Sequence, residues 1–576
     1  MNKEKIKELK GKPFYLNDND IKWINDTLNN MNLDEKIGQL FHLIAYTSDK
    51  KLLNHMINDL HINGLMVRGG MSIEEVCELT NYLQKNSKIP CLISANLESG
   101  GNGCVKEGTQ VGKQMQIGAT NDVENAKILA HVCGEEASAI GVNWAFAPVS
   151  DIDLNWRNPI TNTRLYGNDY KKVANYTTAY IKEVQRLGLL GCGKHFPGDG
   201  VDERDQHLVA SVNSLSRDDW MKMYGHIYKT QIENGVKSIM IGHILQPAWE
   251  KYLTPGLKDK ECMPGTLSKG LITGLLRGEL GFKGLISTDA TTMAGMTTMM
   301  NRELAVPTTI AIGCDCFLFT KDLDEDFAFM KKGYEKGIIT KERLDDAVTN
   351  VLAAKASIGL NTKKQDGTIY KDPISAHKIV GCDEFKDDAR KIADHCITLI
   401  KNEQNVLPIS PKKYKKVLLY GLENKAPNVF GFLNDSIIDE FENKLKKEGF
   451  EVTRFSPQKA LKEGALQSVK GMKDSYDLLM YCANLATKSN QTTVRIEWAI
   501  PFGTDVPAYV KEIPTVFVSL ENPYHLVDVP RVETYINTYG GSEYIIDALV
   551  DKLCGRSDFK GIDPVDSFCG KWDTHL

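Results

Sequence analysis

Leu189–Ser211 reads LLGCGKHFPGDGVDERDQHLVAS, and the rest of the chain is arranged around it. The stretch opens as an apolar run of strand character. It then turns polar at a Pro-Gly step and carries Lys194, His195, Asp199, Asp202, Glu203, Arg204, Asp205 and His207 within fourteen positions. A buried strand that ends in so many titratable groups is the pattern of an α/β protein, whose catalytic groups lie at the C-terminal ends of parallel strands. Asp205 and His207 are spaced i, i+2, so in extended backbone their side chains emerge on one side. A carboxylate that orients one imidazole nitrogen leaves the other free to move a proton.

Outward from this stretch the same alternation recurs. Short apolar runs occur at Gly38–Ala45, Ile62–Val67, Pro90–Leu97, Val142–Val149, Leu189–His195, Ser238–His243, Gly284–Asp289 and Ile310–Phe319. Segments of helical periodicity separate most of them: Glu74–Lys85, Val123–Ile140, Tyr170–Leu187, Arg217–Gly235, Ser268–Leu280 and Glu325–Gly337. Eight strand–helix repeats over about 300 residues predict a closed, TIM-like (β/α)8 barrel with right-handed crossovers. An open doubly wound sheet is the alternative, but neither a G-x-G-x-x-G after the first strand nor a G-x-x-x-x-G-K-[ST] is present. Residues 1–36 read as a helical leader. Residues 340–361 read as a helix, with Thr340 as its N-cap and Gly359 as a C′ residue. The polar stretch after it has linker composition, and a second βα alternation follows from Lys416 to Leu553. The predicted division is a barrel with its leader over 1–362, a linker and connecting helix over 363–395, and a smaller three-layer α/β sandwich over 396–576.

Composition excludes several classes. A net charge of -5 and the lack of a long basic run argue against a nucleic-acid partner. No run of 18 or more apolar residues marks a membrane span, and the amino terminus lacks the apolar core of a signal peptide. Thirteen scattered cysteines suit reduced thiols, hence a cytoplasmic protein. Cys314 and Cys316 read as core and surface thiols rather than a metal pair, so neither metal nor cofactor is expected.

In a barrel the ends of the eight runs converge on one mouth. They bring there Asn96 and Glu98 from run three, and Asp151, Asp153, Arg157 and Arg164 from beyond run four. Run five adds Lys194, His195, Asp205 and His207, run six His243, and run seven Asp289. Two roles stand open for Asp289 at this point: the N-cap of a following helix, or a catalytic carboxylate. His243 reads as a satisfied core histidine. A carboxylate on one strand and a His–Asp pair after another can divide the work of double displacement, one attacking carbon and the other handling protons.

KHFPGDG followed by D-x-H, with S-T-D about eighty residues on, resembles glycoside hydrolase family 3, in its β-N-acetylglucosaminidase branch. GVNWAFAPVSDID, NPITNTRLYG, SIMIGHILQPAW and LLRGELGFKGLIS resemble the family's barrel segments in the same order, and ITLIKNEQNVLPI resembles the entry to its second domain. The resemblance implies Asp289 as nucleophile, His207 as acid/base, Asp205 as the group holding His207, and Lys194, His195 and Arg164 as ligands of the sugar. Where the branch commonly has D-x-E-G-G-R, this chain has Asn96-Leu97-Glu98-Ser99-Gly100-Gly101-Asn102: Asn96 takes the acid position, able to donate to and accept from a hydroxyl, and the arginine is absent. Asp199 stands where His is common. The implied activity is retaining, exo-acting hydrolysis of terminal β-linked N-acetylglucosamine from muropeptide or chitin fragments. Phosphorolysis by the same residues, a β-glucosidase, and a non-catalytic sugar-binding protein are the alternatives.

Overall fold

The computed structural model describes residues 1–44, 48–423, 436–458, 468–487, 489, 495–500, 503 and 505–576. The chain divides into two compact units. The first comprises residues 1–110, 126–161 and 169–386; the second comprises 111–125, 162–168 and 387–576.

All eight apolar runs of the first unit contain a strand: β1 Phe41–Ile44, β2 Gly64–Met66, β3 Leu92–Ala95, β4 Trp144–Ala145, β5 Cys192–Phe196, β6 Ser238–Ile241, β7 Leu285–Ala290 and β8 Cys316–Leu318. Ala45, the end of the first run, lies outside the described residues. The strands are parallel and ordered β4-β3-β2-β1-β8-β7-β6-β5. Parallel bridges Trp144–Leu190 and Val149–Lys194 join β4 to β5 and close the ring. The predicted barrel is the observed one. Its strands are almost wholly buried, as expected when a parallel sheet is covered on both faces.

The helices between strands start where side chains satisfy their first amides. Ser72 and Glu75 form a capping box ahead of Ile73–Asn86, and Thr340 caps Lys341–Ser357. One helix, Arg302–Ala311, occupies the beginning of what reads in sequence as the eighth strand run. Asn301 caps it and Pro307 sits inside it. A short parallel ribbon, Ser211–Val212 against Ile244–Leu245, lies beyond the ends of β5 and β6.

The second unit holds a six-stranded sheet: β9 Thr398–Asn402, β10 Lys416–Glu423, β11 Glu451–Arg454, β12 Leu478–Asn484, β13 Thr515–Ser519 and β14 Thr534–Asn537. The order is β9-β14-β13-β12-β10-β11, parallel except for β9. A row of stacked rings, Tyr420, Tyr481, Phe517 and Tyr535, crosses one face of it and forms part of its core.

Candidate active site

β5 ends on Lys194, His195 and Phe196, all buried. A buried amine is costly unless it is hydrogen-bonded and paired. The Lys194 ammonium pairs with Glu98 Oε1 at 2.7 Å and donates to Asn96 Oδ1 at 3.4 Å, both from the segment after β3. His195 is held on two sides. Its backbone N–H donates to Asp151 Oδ1 at 3.2 Å, and its Nδ1–H donates to Asp151 Oδ2 at 2.8 Å. The opposite ring nitrogen, Nε2, faces Asp289 Oδ2 at 4.0 Å.

Asp289 comes from the C-terminal end of β7. Its Oδ1 accepts from the Ala290 N–H at 2.7 Å, and its side chain is 16% exposed. It does not cap the next helix, Ala294–Thr297, whose N-cap is Met293. Burial alone would raise its carboxyl. The imidazoles of His195, His243 and His207, together with the Ala290 N–H, more than offset this, so its pKa is displaced downward and the carboxylate is ionised at neutral pH. His243 is fully buried and satisfied, as the sequence suggested: Nε2 donates to the Ala290 carbonyl at 2.9 Å and Nδ1 meets Thr266 Oγ1 at 2.8 Å. Burial pushes its own pKa down. It braces the backbone beside Asp289.

Asp205 and His207 follow β5 on the loop leading to the ribbon. One carboxylate oxygen, Asp205 Oδ1, accepts from both the His207 backbone N–H at 2.8 Å and His207 Nδ1–H at 2.7 Å. Asp205 is buried, while the His207 side chain is a third exposed, with Nε2 left available. The loop is tied to the segment after β7: Ala294 N–H donates to the His207 carbonyl at 3.0 Å and Gly295 N–H to the Gln206 carbonyl at 3.1 Å. Histidine and nucleophile candidate are thus fastened to each other through backbone.

The barrel therefore brings together Asn96, Lys194, His195, Asp205, His207 and Asp289. Arg164 lies on a short turn, Asn162–Arg164, that belongs to the second unit. Three carboxylates whose partners the sequence did not show complete the set, Asp151 and Asp199 buried and Glu98 partly so. Glu98 neutralises Lys194, Asp151 orients His195, and Asp199 stands behind the loop. Asp199 Oδ1 accepts from Asn158 Nδ2 at 2.9 Å and Gly200 N–H at 2.7 Å, and Oδ2 accepts from Gln206 Nε2 at 3.1 Å. Burial, followed by the nearby Asp151 charge, pushes its pKa up to about 7. Among the described residues no group of three His, Cys, Asp or Glu side chains is placed to hold a metal. Cys314 and Cys316 are both buried.

A barrel mouth that sets an ionised carboxylate against a separately held His–Asp pair has the parts of a glycosyl-transferring enzyme with a carboxylate nucleophile. Comparison with known proteins agrees. The family model described as the glycosyl hydrolase family 3 N terminal domain matches residues 32–354. The chain belongs to glycosyl hydrolase family 3. It is 48% identical to a Cellulomonas fimi protein named beta-N-acetylglucosaminidase/beta-glucosidase, over 99% of this chain and 100% of that one. It is 42% identical to the solved structure of a protein named beta-glucoside phosphorylase BglX, covering 99% of both chains with a TM-score of 0.91. A family 3 beta-N-acetylglucosaminidase from Paenibacillus sp. str. FPU-7 shares the fold at 22% identity, with a TM-score of 0.76 over 93% of this chain and 99% of that one.

Proposed function

We propose that the chain is a retaining, exo-acting glycosidase that releases terminal β-linked N-acetylglucosamine through a covalent glycosyl-aspartate. Its substrates are fragments of cell-wall muropeptide or chitin oligosaccharide. The observation that carries this is the pairing at one mouth of Asp289, held ionised among imidazoles, with a His207 whose Nδ1 is committed to Asp205. Asp289 attacks the anomeric carbon as the glycosidic C–O bond breaks, and His207 Nε2 delivers its proton to the departing oxygen. In the second step the acceptor gives a proton to His207 Nε2, its oxygen bonds to the anomeric carbon, and Asp289 leaves. Lys194, His195 and Asn96 bind the sugar hydroxyls, the first two from positions fixed by Glu98 and Asp151. The barrel, taken as residues 1–362, carries the catalytic pair and its supports, 363–395 connect it, and 396–576 form the sandwich. No helix among the described residues is long and apolar enough to cross a membrane. Thirteen free thiols, most of them buried, suit the reducing cytoplasm.

A second reading concerns the acceptor. A His base in its neutral form, unlike a second carboxylate, does not repel an anion, so inorganic phosphate can take the place of water. The 42% identity to a protein named as a phosphorylase favours this reading, and the name of the Cellulomonas relative extends the sugar to glucose. One experiment separates the readings. Release of p-nitrophenol from the N-acetyl-β-glucosaminide and from the β-glucoside is measured in phosphate-free buffer and again with added phosphate, with products identified. Free N-acetylglucosamine formed at a rate indifferent to phosphate establishes the hydrolase. A rate that rises with phosphate and yields a sugar 1-phosphate establishes the phosphorylase, and no turnover of either glycoside refutes both.

A further inference from the structure

Asp199 is 2% exposed and sits in the turn between β5 and the Asp205–His207 segment. It touches neither Asp289 nor His207 directly. Its carboxylate meets three N–H donors, from Asn158, Gly200 and Gln206. Its own N–H donates to Asp151 Oδ1 at 2.8 Å, and its carbonyl accepts from the Tyr224 hydroxyl. The turn is built for this burial. Gly198 and Gly200 both have positive φ, and a Cβ would lie 2.2 Å from the Tyr224 ring at the first and 1.9 Å from the Ile152 carbonyl at the second.

Gln206, between Asp205 and His207, is 1% exposed. Its side-chain amide has one orientation that satisfies both ends. Oε1 accepts from the His243 backbone N–H at 2.8 Å, so Nε2 must point at Asp199 Oδ2. The amide is thereby stretched between Asp199 and the backbone just beyond β6, and the residues on either side of it are the two members of the dyad. We infer that Asp199, acting through Gln206, is a positioning residue that sets the depth and aim of the Asp205–His207 pair against Asp289. Only an acceptor at both oxygens serves. Asn at this position turns an N–H toward at least one of three donors, and an apolar residue strands all three in the core.

This inference rests on the proposed role of His207 as proton donor, and that role supplies a specific readout. A phenol that is a poor leaving group needs the proton; 2,4-dinitrophenolate leaves without it. Mis-aiming His207 therefore lowers kcat/KM for the poor leaving group and spares the good one, whereas general loosening of the barrel lowers both alike. The test measures kcat/KM for phenyl and 2,4-dinitrophenyl N-acetyl-β-glucosaminides, and for the matching β-glucosides, with the full chain carrying Asp199→Asn, Gln206→Met or His207→Ala beside the unaltered protein. Asp199→Asn is expected to lose about tenfold to a hundredfold on the phenyl glycoside, a fraction of what general acid catalysis supplies, and about threefold or less on the dinitrophenyl one. Gln206→Met cuts the same tie while leaving the other contacts of Asp199 intact. It is expected to show the same split, and it keeps the test decisive if Asp199→Asn does not fold. An equal loss on both leaving groups, or no loss, in whichever of the two variants folds overturns the role of Asp199. If His207→Ala itself shows no dependence on the leaving group, it is the assignment of His207 that fails, and the Asp199 inference falls with it.

Discussion

The roles at the mouth are separated by what each side chain is bonded to. Asp289 has one N–H donor and a ring of imidazoles; Asp205 has both donors of His207; Asp151 has both donors of His195. Only the first of the three has a side chain open to a substrate, the other two being fully buried. Asp289→Ala is accordingly expected to cut kcat about 10⁴-fold or more in steady-state assays. Asp151→Asn with its oxygen in the Oδ1 place keeps the backbone N–H groups of His195 and Asp199 and leaves the His195 Nδ1–H facing an amide. The loss of one charge-assisted hydrogen bond, about 1.5–3 kcal/mol, predicts a tenfold to hundredfold fall in kcat/KM, with the dinitrophenyl and phenyl glycosides affected alike under the proposal that His195 binds the sugar. The placing of Asp289, Lys194 and His195 at strand ends was legible from the strand runs, and the contact between Asp205 and His207 from their i, i+2 spacing. Glu98 and Asp151 were visible as strand-end acids, but their partners were not. Glu98 meets Lys194 across 96 residues and Asp151 meets His195 across 44, contacts that exist only once β3, β4 and β5 are neighbours around a ring.

At the scale of the element, legibility follows how local the cause of each element is. The strand runs are apolar segments bounded by turns, and all eight are real. The run at Val142–Val149 contains only two strand residues, Trp144–Ala145, and its later residues meet β5 through the isolated bridge Val149–Lys194. The helix Arg302–Ala311 was not among the helical segments read from the sequence, and its last two residues fall in the run read as Ile310–Phe319. Tertiary packing holds it: Ala305, Val306, Thr309 and Ile310 are all buried. The loop after β3 shows a tighter constraint. A Cβ on Gly101 would lie 1.8 Å from Glu136 Oε2, a carboxylate that accepts from Thr109 and Gly381 N–H groups. Gly101→Ala is therefore expected to cost about 1–3 kcal/mol in chemical denaturation, the range for overpacking a filled interior.

At the scale of the whole molecule each unit carries its own ledger of buried charge, and pH tests the second unit separately. Lys552, fully buried on the helix Glu543–Leu553, pairs with Asp394 at 2.9 Å, and Lys560 meets the other oxygen of Asp394 at 2.8 Å. Burial would raise the Asp394 carboxyl, but the two ammonium groups and Ser557 hold it well below the usual carboxylate range. A depressed folded-state pKa means that this stabilisation is present above the unfolded value of about 3.9 and is lost as pH falls below it. Asp394→Asn is expected to lower protection of the Glu543–Leu553 amides from hydrogen exchange by about 2–3 kcal/mol at neutral pH, with the difference shrinking below about pH 4. The barrel in turn makes one central claim, that the sugar is carried on Asp289 whichever acceptor follows. The measurement that tests it most directly is trapping with 2-deoxy-2-fluoro-β-glucosyl fluoride followed by peptide mass mapping. One 2-fluoroglucosyl group is expected on the peptide containing Asp289, absent from Asp289→Ala and released on adding acceptor. A label on any other residue, or steady turnover of the reagent with no covalent species, would contradict it.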